Sequence, residues 1–231
     1  SAQRTESAGQ ISEFGLRKIG IKPGDIDSLQ KAPWRIFPEI YEDIEAQGLG
    51  NPQVYLPMIN ESMPIHPVDA TYAGIGSDID YLTGTCLDEG NLFDALGASP
   101  FESRSERLLT KFSIKKEDLL RSYLSARPEL NSEEAATTMS ADMWFRVPTI
   151  RIAEGHTAGS KARTFMYLFT WESQFLGATH AMDGVVFGNG VPFGFLAGFN
   201  SPDKLSQQMR KSRINIAKKG DPTFDRFRWP E

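Results

Sequence analysis

Cys86 is the only cysteine in the chain, so no internal disulfide can form and the fold does not depend on an oxidising compartment. A surplus of positive charge is also missing. With 25 Lys and Arg against 30 Asp and Glu, the formal charge is −5 and the isoelectric point lies near 5.4. Binding to a phosphate backbone needs clustered basic residues that acids do not offset, so this balance argues against a nucleic-acid partner. The one basic cluster, KLSQQMRKSR, is spaced for the solvated face of a helix. No membrane span is legible. The longest uncharged stretch, Gly184 to Pro202, has the length but holds five glycines, Pro192, Asn189 and Asn200, which suits a buried, loop-rich wall better than lipid. Histidines number three, His66, His156 and His180, and no pair has metal-ligand spacing, so neither a metal nor another cofactor is expected. Asp78 and Asp80 lack the further ligands and glycine of a calcium loop and read as strand-edge charges. Repeats and low-complexity linkers are absent too. No signal peptide is visible, and a start without methionine suits a processed or excised piece. A cytoplasmic setting is favoured, with secretion of a longer precursor left open.

What the chain does contain is enough apolar material, 40% of 231 residues, for a real core, and its length allows one large domain or two small ones. A first helix follows Thr5 or Ser7 as N-cap and stops at Gly20; a second starts near Asp25; a third, from Trp34 onward, is interrupted by Pro38. Val54-Tyr55-Leu56 is a strand candidate, and Pro67-Val68-Asp69 opens a helix. Ile79 to Thr85 fits a buried strand, followed by an acidic loop and a helix from Asn91. Residues 101 to 160 are helical throughout. TFMYLFTW, Thr164 to Trp171, is apolar on both faces, as an interior strand of a helix-covered sheet should be. An amphipathic helix spans Ser201 to Lys218. Strands alternating with helices imply an α/β layer architecture with parallel central strands.

The opening segment Thr5-Glu6-Ser7-Ala8-Gly9 is one residue short of the Gly-x-Ser-x-Gly elbow of serine hydrolases. Thr5 stands where a small residue is required, and no apolar strand leads in, so Ser7 reads as part of a helix start. The chemistry lies elsewhere. Asp88-Glu89-Gly90 follows the first strand, and the loop Gly177 to Asp183, with His180 in it, follows the second. Open α/β sheets place their functional groups at these carboxyl ends of strands. By local pattern alone an Asp-Glu-Gly after a strand is more often a solvated turn than a site. A carboxylate and an imidazole in this order are also the acid and base of an α/β-hydrolase triad. His156 reads as a surface or cap residue, and Cys86 as a buried, inert thiol.

These segments carry a resemblance. PIHPVDAT, GTCLDEGNLF, WFRVPTIRIAEGH, FMYLFTWES, LGATHAMD with VVFG after it, IAKKGDP and WPE occur together and in order as in the type-B carboxylesterases, the family of the para-nitrobenzyl esterases and cholinesterases. The chain resembles the C-terminal half of that family over nearly its whole length. The resemblance implies that residues 1–231 are a single domain with an α/β-hydrolase fold, C-terminal portion, with Glu89 as triad acid, His180 as triad base and a small carboxylic ester as substrate. It puts the nucleophilic serine and the oxyanion-hole glycines upstream, so the N-terminal half of the fold is the implied partner and the isolated chain is expected to be inactive. One departure is Gly184-Val185-Val186, where relatives carry a proline-containing segment. The alternative reading is a non-catalytic binding or adhesion relative of the same fold, which would have no use for the acid and base.

Overall fold

The computed structural model of the chain describes residues 2–47, 49, 56–97, 101–159, 161–188, 197–198 and 202–230. They form two compact units, Ser1–Asp69 and Ala70–Glu231. In the first unit, α1 (Thr5–Lys18), α2 (Ile26–Lys31) and α3 (Ile36–Ala46) bring Ile11, Ile40 and Ile44 together as a small core, with Phe14, Phe37 and Tyr41 packed around it. Ile36, Ile40 and Ile44 recur every fourth residue, which is why one face of α3 is apolar. Asp25 caps α2 by accepting from Ser28 N at 3.0 Å. Pro38 does not interrupt α3. It is the third helical residue, where an N–H would have no acceptor within the helix. Nor do Thr5 or Ser7 cap α1: Arg4 occupies that position, and the Thr5 hydroxyl instead donates to the Ile59 carbonyl at 3.0 Å. Val54 and Tyr55 lie outside the described residues, and Leu56 carries no regular structure.

The second unit is built on two parallel strands, β1 (Tyr81–Cys86) and β2 (Thr164–Phe169), paired from Tyr81 with Thr164 to Cys86 with Phe169. Parallel neighbours need a long crossover, and helices supply it. These are α5 (Asn91–Ala95), α6 (Phe101–Lys111), α7 (Lys116–Ala126), α8 (Ser132–Ala141), a π-helical turn (Asp142–Arg146) and α9 (Val147–Gly159). A short helix α4 (Pro67–Tyr72) straddles the boundary between the units, and α10 (Met182–Phe187) and α11 (Asp203–Lys219) follow β2. Gly84 is fixed by its cross-strand neighbour: a Cβ there would lie 2.5 Å from the Tyr167 ring, which crosses β1 at that point. Beyond the strand ends, Cys86, Phe169, Ala178, Met182, Val185 and Val186 form one buried cluster.

β2 departs from the interior strand its composition suggests. β1 is its only strand neighbour among the described residues, and Leu168 is 46% exposed at an apolar groove of about 500 Å³ that Trp171, Leu205, Met209 and Trp229 also line. Gly184-Val185-Val186 lies inside α10, with both valines buried. Most of the stretch from 188 to 202 is outside the described residues. No helix of the described residues is long and apolar enough to cross a membrane.

Candidate active site

Because β1 and β2 run parallel, the loops that follow them leave from the same end of the sheet, and they are laced together residue by residue. Leu87 N donates to Phe169 O at 2.9 Å, and Asp88 N to Ala178 O at 3.0 Å. The Asp88 carboxylate accepts from Ala178 N at 3.0 Å, and the Asn91 side chain donates to Leu176 O at 3.1 Å. Gly177 is required at this seam for two reasons. Its φ is +65°, and a Cβ would lie 2.7 Å from the Asp88 carboxylate.

This lacing brings Glu89 and His180 together. Glu89 Oε2 lies 2.6 Å from His180 Nδ1, and Glu89 Oε1 accepts from Cys86 N at 2.7 Å. An ionised carboxylate only accepts, so the shared proton belongs to Nδ1 and the imidazole tautomer is set by Glu89. Glu89 is 6% exposed, whereas the His180 side chain is 37% exposed. The acid is therefore sealed behind a base that remains accessible. Phe145 and Phe93 flank the imidazole, with ring centroids 4.8 Å and 5.2 Å from it. Ala181, next to the histidine, adopts a left-handed conformation at φ +66°, so the chain turns sharply from His180 into α10. A non-glycine residue held there costs roughly 1 to 3 kcal/mol, and such strain clusters at working sites.

The remaining polar groups hold this arrangement. Tyr167 donates to Asp183 Oδ2 at 2.5 Å, and Gly184 N to Asp183 Oδ1 at 2.8 Å, so the acid that follows the histidine loop is bound to strand and helix. Burial, reinforced by Asp183, pushes the Cys86 thiol up, which keeps it unreactive. On the other side, Arg146 donates to Leu87 O at 2.8 Å and Cys86 O at 3.3 Å and pairs with Asp142 at 3.1 Å. The π turn that carries Phe145 and Arg146 has a local cause. Pro148 has no N–H to give and its ring crowds the Trp144 carbonyl, so the helix widens by one residue and Val147 N bonds back to Asp142 O. In sequence those two residues are part of an ordinary helical run, and only the Pro148 that follows hints at the widening.

The other candidates fall elsewhere. His156 is buried at 6% exposure rather than on the surface, its Nδ1 2.7 Å from Thr164 Oγ1 and its ring 5.3 Å from that of Tyr81, because α9 packs directly under the start of β2. His66 accepts from Val68 N at 3.3 Å at the start of α4. Asp80 accepts from Arg163 N at 2.9 Å where the two strands begin. Ser7 is the third residue of α1, with no positive φ, and Gln3 just before the helix forms a single parallel bridge with Met58.

Two parallel strands with helical crossovers, and an acid and a histidine on the loops beyond their carboxyl ends, define the C-terminal part of an α/β-hydrolase fold. The chain belongs to the carboxylesterase family, whose model matches residues 18–231. It is 26% identical to the para-nitrobenzyl esterase of Bacillus subtilis (strain 168) over 240 residues, which cover 97% of this chain and 47% of that protein. Among solved structures it is similar to a carboxylesterase of Geobacillus stearothermophilus at 25% identity and a TM-score of 0.75, covering 99% of this chain and 49% of the other. A thermophilic PNB esterase shares the fold at 21% identity and a TM-score of 0.76, covering 100% of this chain and 49% of that one. The chain spans about half the length of the relatives it matches.

Proposed function

We propose that this chain supplies the acid and base of a serine carboxylic-ester hydrolase, and that the nucleophile and oxyanion donors come from a segment outside these 231 residues. The observation that carries the reading is the 2.6 Å contact between His180 Nδ1 and a buried Glu89 whose second oxygen is also held. Both compact units are then parts of one α/β-hydrolase domain. The family relation supports ester hydrolysis as the reaction class.

In the reaction, Nε2 of His180 removes the proton of the serine hydroxyl as its oxygen attacks the ester carbonyl. Glu89 stabilises the resulting imidazolium through Nδ1 without taking the proton itself. The same Nε2 then delivers its proton to the departing alcohol, which breaks the ester C–O bond and leaves an acyl-serine. Water, deprotonated by His180, hydrolyses that intermediate and restores the dyad. A non-catalytic binding relative would have no need of the buried acid, its two hydrogen bonds or the strained turn after the histidine.

The test is complementation. The isolated chain should show no esterase turnover, and Ser7 should not react with an organophosphonate probe. Adding the nucleophile-bearing half, covalently or as a second chain, should restore turnover of a short-chain para-nitrophenyl ester. In that assembly Glu89→Gln should lower kcat by roughly 10⁴ and His180→Ala by roughly 10⁶. Full activity in either variant, or probe labelling lost in Ser7→Ala, would overturn the reading.

A further inference from the structure

We infer that Arg146 is a positioning residue for the acid: it holds the turn that presents Glu89, through backbone carbonyls rather than through the carboxylate itself. This inference rests on the dyad reading above. The turn from β1 to Glu89 opens with two peptide units, Cys86-Leu87 and Leu87-Asp88, and each is gripped at both ends. Their N–H groups donate toward the histidine side of the sheet, Leu87 N to Phe169 O at 2.9 Å and Asp88 N to Ala178 O at 3.0 Å. Their carbonyls point the other way, and both accept from the one Arg146 Nη2, at 3.3 Å from Cys86 O and 2.8 Å from Leu87 O. The Cys86 N–H, one peptide earlier, holds Glu89 Oε1 at 2.7 Å. The side-chain hold on the acid is therefore only as well placed as the strand end that Arg146 anchors.

The guanidinium is itself oriented. Arg146 Nη1 pairs with Asp142 Oδ1 at 3.1 Å, and Tyr123 donates to Asp142 Oδ2 at 2.9 Å. The Arg146 and Asp142 side chains are 21% and 14% exposed, so this is a mostly desolvated pair. Burial pushes the Asp142 carboxyl up and the neighbouring Arg146 opposes that shift. A mostly buried ion pair is weak evidence for stability, because an apolar pair of similar volume often does as well. The geometry instead requires what only arginine offers, a planar fork with one nitrogen on the carboxylate and the other across two carbonyls. Lysine has three donors but carries them on one nitrogen, without the planar spread of the fork.

The proton on His180 Nδ1 reports the result without any turnover, so the test stays separate from the complementation experiment. In the full chain labelled with ¹⁵N-histidine, that proton should appear as a slowly exchanging downfield correlation that is lost in Glu89→Gln. In Arg146→Gln its exchange should become about tenfold faster, the scale of one lost hydrogen bond, while amide protection in β1 and β2 is retained. Arg146→Lys should give an intermediate rate, and Tyr123→Phe a smaller change in the same direction. If Arg146→Gln does not fold, Arg146→Lys decides the matter. An unchanged His180 proton in the folded variant, or a change that merely parallels a general loss of amide protection, would overturn the inference.

Discussion

At the scale of single residues, the site is defined by acids whose positions are held by specific hydrogen bonds. Both Glu89 oxygens, both Asp88 main-chain and side-chain contacts to Ala178, and both Asp183 oxygens are committed. Gly90 belongs with them for a steric reason, since a Cβ there would lie 2.5 Å from Thr137 Cγ2 on α8. Gly90→Ala should therefore push the acid loop off α8 and cost about 1 to 3 kcal/mol in urea unfolding. Gly184, in α10, has nothing within 4 Å of the corresponding position. Gly184→Ala should be stabilising by roughly 0.5 to 1 kcal/mol, since alanine loses less entropy in a helix. Equal effects from the two substitutions would refute the packing account.

At the scale of elements, helix ends and one widened turn set the directions that matter. α8 starts with a complete capping box: Asn131 accepts from Glu133 N and Glu134 N at 2.9 and 3.0 Å, and Glu134 returns a bond to Asn131 N at 2.9 Å. α8 runs straight into the π turn, so its start also fixes where Phe145 and Arg146 emerge. Asn131→Ala should cost about 1 kcal/mol, read as a lower urea midpoint with unchanged slope. No shift in the midpoint would mean that tertiary packing alone holds the helix start.

At the scale of the whole molecule, buried ionisable groups make the fold sensitive to alkali. Burial raises the Cys86 thiol, with Asp183 adding to it. Burial likewise raises the phenols of Tyr123 and Tyr167, reinforced by Asp142 and Asp183. Each group keeps its proton in the fold at a pH where the unfolded chain releases it, so the folded state binds more protons and stability falls as pH rises. The loss should begin near the ordinary thiol value of about 8.5 and steepen above about 10, where unfolded tyrosines ionise. Urea midpoints measured from pH 7 to 11 should trace that decline, and Cys86→Ala should remove its first part. A flat profile to pH 10.5 would contradict the burial of all three groups.

The sequence by itself determined the layer class, the two strands, and the loops that carry Glu89 and His180, because apolar runs bounded by Gly, Asp and Asn are local signals. Thr5, where an elbow needs a small residue, already argued against Ser7, and the structure places Ser7 in the first turn of α1. Only the tertiary structure decided the 2.6 Å contact between residues 91 positions apart, because that distance depends on strand register and on the lacing of two loops. It also decided the burial of His156, which local polarity misplaces because α9 packs against the strands with that face inward. The roles of Phe145 and Arg146 were hidden for a related reason. Helical periodicity assigns each residue a face, and the extra residue that Pro148 forces into the turn changes which faces meet the site.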